Sequence, residues 1–262
     1  RNERNAFVVH TLATGEEREL WDHAPGGDVG PGYTGWFPDG HTLMSWQPDG
    51  QSRVFRRVDA RTGETQATWT TANAPPMGGI AFSPDLMTMF FSRKDAAVPC
   101  EGTKCTYVMV ARDLQTGRDR EIFRINTIIR TTSISHDGRD MAFTNWDGLA
   151  WLVMVAPTAG GPPRELHRFT TTGSGNLTGT TWTQDGGHVL AFRRLPAGGE
   201  VWSIPTKGGS PEKSPLHVGI NNYPTYAVSP DGTQIAFVGG NSRSEIWVMT
   251  GLFQDGKPTP AR

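Results

Sequence analysis

Cysteine is nearly missing from this chain: only Cys100 and Cys105 occur among 262 residues. That argues against a structural zinc site, which needs four ligands where only two of this type lie close together. Charge imbalance is missing too. The formal net charge is −1, which removes any general electrostatic reason to expect nucleic acid as a partner. No apolar run approaches the roughly 20 residues of a membrane-spanning helix, so no membrane insertion is expected from these residues, and no signal peptide is visible. The G-x-S-x-G elbow of hydrolases is absent as well: Gly173-Ser174-Gly175 has the wrong spacing and Gly240-Asn241-Ser242-Arg243-Ser244 ends in serine. Seven histidines are scattered without an H-x-x-x-H or similar spacing. No catalytic residue, resident metal or cofactor is expected on these grounds, although spacing alone does not address residues that converge from distant parts of the chain.

What the chain does have is turns. It carries 32 glycines and 19 prolines, the composition of a chain that reverses many times. Five of the reversals repeat: Phe37-Pro38-Asp39-Gly40, Ser83-Pro84-Asp85-Leu86, Ser135-His136-Asp137-Gly138, Thr183-Gln184-Asp185-Gly186 and Ser229-Pro230-Asp231-Gly232. Asp39, Asp85, Asp137, Asp185 and Asp231 therefore recur at intervals of 46, 52, 48 and 46 residues, close to the roughly 40 to 50 residues of one propeller blade. A β-prone segment enters each turn and another leaves it. A third follows, as in Tyr107-Val108-Met109-Val110, Trp151-Leu152-Val153-Met154-Val155 and Val201-Trp202-Ser203-Ile204. A second turn, such as Gln115-Thr116-Gly117 or Lys207-Gly208-Gly209, leads to a more polar fourth strand. Four antiparallel strands per unit, repeated, read as an all-β fold, a β-propeller. The repeated aspartates read as turn chemistry: Asp accepts a local backbone hydrogen bond, and Gly supplies the left-handed corner.

The last repeat, Val228-Ser229-Pro230-Asp231-Gly232-Thr233-Gln234-Ile235-Ala236-Phe237 followed by Glu245-Ile246-Trp247-Val248-Met249, resembles the repeat of TolB-type, WD-like bacterial propellers. The other four match more loosely, with Leu86 replacing the turn glycine and His136 and Gln184 replacing the turn proline. The resemblance implies one propeller domain over residues 1–262. It leaves function open among periplasmic scaffolds, sensor domains, peptidase gates and polysaccharide lyases. A partial blade at 6–22 opens the chain in mid-unit. Six blades are expected, closed by these N-terminal strands, with the alternative that upstream blades precede Arg1.

If the first strand runs down into its Asp turn, all the tight turns lie on one face and the longer loops gather on the other, where binding is expected. Equivalent positions after the second strands carry Trp46, Arg93 with Lys94, Asn145 with Trp146, Arg193 with Arg194, and Asn241 with Arg243. Around a mouth they would form a cationic and aromatic rim suited to an acidic ligand or to a protein or peptide partner. The alternative is ordinary solvated loop residues and interblade packing. Cys100 and Cys105 sit in the longest of the loops between a second and a third strand, flanking Glu101-Gly102-Thr103-Lys104. A disulfide there would pin the loop and point to a periplasmic or extracellular location; two free thiols would leave the chain cytosolic. A non-catalytic interaction or sensing module is the expected function, against an enzyme-associated propeller as the alternative.

Overall fold

A computed structural model describes residues 6–11, 16–22, 32–37, 39, 41–49, 52–71, 78–101, 105–170, 175–195, 198–218, 226–228, 235–239, 245–248, 253–254 and 257–258. The chain begins with strands β1 (Ala6–Thr11) and β2 (Glu16–Asp22). Blade I then comprises β3 (Gly32–Trp36), β4 (Thr42–Asp49), β5 (Ser52–Asp59) and β6 (Thr65–Thr71). Blade II comprises β7 (Gly78–Phe82), β8 (Thr88–Lys94), β9 (Tyr107–Asp113) and β10 (Asp119–Ile125). Blade III comprises β11 (Ile129–Ile134), β12 (Asp140–Trp146), β13 (Ala150–Pro157) and β14 (Arg164–Thr170). Blade IV comprises β15 (Asn176–Trp182), β16 (His188–Leu195), β17 (Gly198–Pro205) and β18 (Glu212–Val218). After them come β19 (Tyr226–Val228), β20 (Ile235–Gly239) and β21 (Glu245–Val248), then a short hairpin of β22 (Phe253–Gln254) and β23 (Lys257–Pro258).

Each of the four blades is a four-stranded sheet in chain order. The expected count of six is corrected: among the described residues there are four such blades and one five-stranded sheet of order β19-β20-β21-β1-β2. The cause is pairing. β1 and β2 form only a hairpin, and β1 lies parallel to β21, with Val9 opposite Ile246 and His10 opposite Trp247. The N-terminal strands thus extend the last repeat and found no blade of their own.

By contacts the chain divides into two compact units, Arg1–Ala74 with Pro215–Arg262, and Pro75–Ser214. Within Pro75–Ser214 the first strands are innermost: β11 lies against both β7 and β15. Sheets stacked face to face bury both sides of their central strands, so these read as apolar runs. Met89, Phe90 and Phe91 on β8, Met141, Ala142 and Phe143 on β12, and Val189 to Phe192 on β16 are all buried. Between blades II and III, Phe90, Met109, Phe123, Ile129 and Phe143 form one core, with the Phe123 and Phe143 rings stacked 5.3 Å apart. Between blades III and IV the core holds Trp151, Val153, Phe169, Trp182 and Ile204. Burying each such side chain stabilises the fold by roughly 1.5–3 kcal/mol. Fourth strands β10 and β14 are largely exposed and charged, which blunts a free sheet edge.

One turn chemistry recurs at three of the four described Asp corners. Ser83, Ser135 and Thr183 donate their hydroxyls to Asp85, Asp137 and Asp185 at 2.6, 2.7 and 2.6 Å. The same carboxylates accept the backbone N–H of Met87, Arg139 and Gly187. These bonds hold all three carboxyls below the ordinary carboxylate range, the Ser or Thr hydroxyl contributing most. In blade I, Phe37 replaces the hydroxyl residue. There Asp39 accepts from Thr42 Oγ1 at 2.6 Å and pairs with Arg57 at 2.5 Å. The departures at Leu86, His136 and Gln184 leave the turn intact; Leu86 adopts φ 61, where Gly138 and Gly186 have 75 and 66. Asp231 lies outside the described residues.

The second turn of each blade is bonded to the first. Ala60, Leu114, Thr158 and Thr206 donate their backbone N–H to the carbonyls of His41, Met87, Arg139 and Gly187 at 2.8 to 2.9 Å. Both tight turns of each blade therefore share one end, as expected from the topology of an up-and-down sheet.

Candidate functional site

The opposite end of the blades, where second strands pass to third and one blade passes to the next, is where the sequence placed a rim. Most of the rim residues turn out to be strand ends rather than loop residues. Trp46 pairs with Phe55, Lys94 with Tyr107, Trp146 with Trp151 and Arg194 with Gly199. Asn145 consequently stays inside the sheet. It is 2 % exposed, and its Nδ2 donates to Thr127 Oγ1 at 2.8 Å. Trp146 is half-buried against the core between blades III and IV, 5.4 Å from Trp151. Arg93 and Arg194 are half-buried and Lys94 is exposed. Asn241 and Arg243 lie outside the described residues.

Arg193 is held inward. Its guanidinium lies 5.6 Å over the Phe169 ring and 3.9 Å from Glu200. Glu200 also accepts Lys213 Nζ at 2.6 Å and Trp202 Nε1 at 3.0 Å. Burial alone would raise the Glu200 carboxyl, but the bonds from Lys213 and Trp202 outweigh it and lower it.

Two latches at this end were not legible as a motif. In blade II, Asp95 follows β8, accepts the Ala97 N–H at 3.0 Å and pairs with Arg124, whose fork also grips Glu121 at 2.8 and 2.9 Å. In blade III, Asp147 follows β12, accepts Leu149 and Ala150 N–H at 2.8 and 2.7 Å and pairs with Arg168, whose fork grips Glu165. The signal was an E-x-x-R on two consecutive fourth strands, Glu121 with Arg124 and Glu165 with Arg168. The backbone N–H of Leu149 is the largest influence lowering Asp147, and Glu121 the largest raising Arg124.

Loop 95–106 is closed twice. Asp95 N–H donates to the Thr106 carbonyl at 2.8 Å, and Cys100 and Cys105 form a disulfide with Cα atoms 4.4 Å apart. Among the described residues no group of three or more His, Cys, Asp or Glu side chains could hold a metal, and no helix is long and apolar enough to cross a membrane.

The first strand of each of blades I to IV carries a bulge near this end: between Gly32 and Gly35, Gly78 and Ala81, Ile129 and Thr132, and Leu177 and Gly179. A bulge re-aims the side chains within it. In blade III it presents Arg130, exposed and 5.6 Å over the Trp151 ring.

Four-stranded antiparallel sheets with capped Asp corners at one end and differing loops at the other define a β-propeller. Its fold is similar to that of solved TolB propellers. The fold is similar to that of TolB from Acinetobacter baumannii, with a TM-score of 0.61 and 17% identity over 94% of this chain and 61% of that one. It is also similar to an oligogalacturonate lyase from Vibrio parahaemolyticus, at 0.53 and 13% over 87% and 62%. A structure of a nidogen/laminin complex matches at 0.58 and 13% over 86% and 76%. The chain thus spans about three fifths of the length of the A. baumannii TolB. No family model and no curated protein sequence matches the chain.

Proposed function

We propose that this chain is a non-catalytic, TolB-like interaction module that binds a protein or peptide partner at the loop end of its blades, as part of a larger bacterial envelope or signalling protein. The observation that carries this reading is how the carboxylates are used. At the turn end Asp85, Asp137 and Asp185 are held low by hydroxyl and backbone donors. At the loop end Asp95 and Asp147 cap backbone and pair with arginine. Carboxyls held below their ordinary range, as Asp147 and the three turn aspartates are, make poor general acids or bases near neutral pH. What remains at the loop end is a rigid frame carrying side chains that differ from blade to blade, the usual setting of recognition. The Cys100–Cys105 disulfide supports a periplasmic or extracellular location, and non-reducing peptide mapping tests it: two alkylatable thiols in freshly isolated protein would remove that support.

The second reading, an enzyme-associated propeller, rests on the likeness to an oligogalacturonate lyase. A metal analysis of the purified protein, joined to thermal melts with divalent ions, galacturonate oligomers and acidic peptides, separates the two. A ligand at 100 times its Kd stabilises by roughly 2.7 kcal/mol. Stabilisation by acidic peptides alone is the expected result; stoichiometric metal with stabilisation by galacturonate oligomers would replace the module with the lyase.

A further inference from the structure

We propose that Arg130 and Leu149 at the loop end of blade III form the anchor of the partner site and take an acidic segment that carries an aliphatic side chain beside its carboxylate. The inference rests on the interaction-module reading and names the chemistry of its partner.

Arg130 differs from three other arginines of the loop end. Arg124 and Arg168 are each saturated by two carboxylates, and Arg193 faces Glu200. Among the described residues no carboxylate pairs with Arg130, and its position is set by other means. The bulge between Ile129 and Thr132 re-aims it, and Trp151 holds its guanidinium face at 5.6 Å. Stacking on one face leaves the N–H edge of the fork free for a bidentate carboxylate. The corresponding bulges of blades II and IV present Gly79 with Ile80, and Thr178. Only blade III of the three in Pro75–Ser214 offers a cation there.

Trp151 also closes the hairpin Trp146–Trp151, which projects Leu149, 80 % exposed. An exposed leucine alone needs no explanation, but this one is preorganised. Asp147 caps Leu149 and Ala150, Arg168 braces Asp147, and Gly148 takes φ 99 at the corner. An arginine fixed on a tryptophan is the kind of residue that dominates binding hot spots, and preorganised apolar area on the same hairpin adds to it at little ordering cost. An acidic sugar would satisfy Arg130 but leave Leu149 in water, so a peptide segment fits both groups better.

The test uses amidated heptapeptides bearing one Glu and one Leu at each relative spacing in a Gly-Ser background, and their Gln counterparts, measured by surface plasmon resonance on the whole chain. At least one Glu peptide is expected to bind tenfold or more tighter than its Gln partner. Arg130→Gln should erase that preference. Arg130→Lys should keep part of it, and Leu149→Ser should weaken both peptides while all variants melt as the parent does. A Glu preference that survives Arg130→Gln overturns this assignment and leaves the module reading standing. Failure of every peptide, or Arg130-dependent capture of galacturonate oligomers in their place, overturns the proposed partner; turnover of those oligomers would overturn the module reading itself.

Discussion

The two ends of the blades in Pro75–Ser214 spend similar residues differently. At the turn end each aspartate serves the hairpin it sits in, in the same way three times over: a Ser or Thr hydroxyl, one backbone N–H, one corner in the left-handed region. At the loop end blades II and III share a latch, but each blade is otherwise built differently. Blade II has a latch and a disulfide loop, blade III a latch and an exposed Leu hairpin, blade IV a glutamate that gathers Lys213, Trp202 and Arg193. Stability is thereby shared evenly along one end, and the other is left to differ without undoing the hairpins.

The largest break in that pattern is expected at Gly79, in the bulge of β7. Its φ is 51, and a Cβ there would overlap Thr132 Oγ1 and come within 2.8 Å of Ile129 Cγ2 on the neighbouring blade. Gly79→Val should cost roughly 3 kcal/mol from strain and overpacking. Gly117 at the turn end has a similar φ of 71 but nothing within 4 Å. Gly117→Ala should cost only about 1 kcal/mol. Denaturant melts of the two variants compare the ends directly, and equal losses would contradict the close approach of β7 and β11.

Next in size is the disulfide. Removing a cross-link that closes so short a loop should cost roughly 2 kcal/mol on the chain-entropy account. The replacement of both cysteines by serine should nevertheless leave one cooperative transition. Seven residue pairs between Thr88–Lys94 and Tyr107–Asp113 and the bond from Asp95 to Thr106 hold the loop base without it. Faster proteolysis confined to 96–105 is the expected companion effect; cleavage spreading into the strands would mean that the bridge supports the blade itself.

The turn end was readable because its chemistry is local: an aspartate, a hydroxyl two residues before it and a glycine after it are contiguous in sequence. Pairing between distant segments was not readable. Arg124 meets Asp95 across 29 residues, and although the N-terminal strands were expected to join the last repeat, the parallel register of β1 on β21 was not readable. Asn145 looked like a rim residue because the second strand seemed to end before it, whereas pairing continues through Trp146. The second-turn threonines were missed for a related reason. Thr158 donates its hydroxyl to Gly138 O at 2.6 Å, and Thr206 donates its own to Gly186 O at 3.0 Å, a tie between two turns of one blade that no single turn motif encodes. Thr158→Val and Thr206→Val should each cost about 1 kcal/mol, additively, since they stand in different blades.

Leu86 offers a change in the other direction. It is the non-glycine residue at the corner that Gly138 and Gly186 occupy in blades III and IV, and a left-handed conformation costs an ordinary residue roughly 1–2 kcal/mol. Leu86→Gly removes that strain but adds freedom to the unfolded chain, worth roughly 0.5–1 kcal/mol. A net gain of about half a kcal/mol is expected. A loss would mean that the Leu86 side chain contributes packing that outweighs its backbone strain.

The smallest expected effect separates the turns by pH. The carboxyls of Asp85, Asp137 and Asp185 lie below their unfolded value of about 3.9. Their contribution is therefore complete above about pH 4 and disappears as pH falls through the lower folded values. His136 titrates in a different window. Burial lowers it, against weaker opposing effects of the Trp182 backbone and Asp137, and its Nε2 is buried without a partner. Below the unfolded histidine value of about 6.5 the unfolded chain takes up a proton that the folded one refuses. Stability should accordingly begin to fall near pH 6.5, where the aspartates are still silent. His167, also lowered by burial, adds to the same slope. His136→Gln, which copies Gln184 of the next blade, should shrink the slope between pH 6.5 and 5 and leave the acid limb below pH 4 unchanged. An unaltered slope in that variant would assign the whole effect to His167 and the aromatic cluster it forms with Phe169 and Trp202.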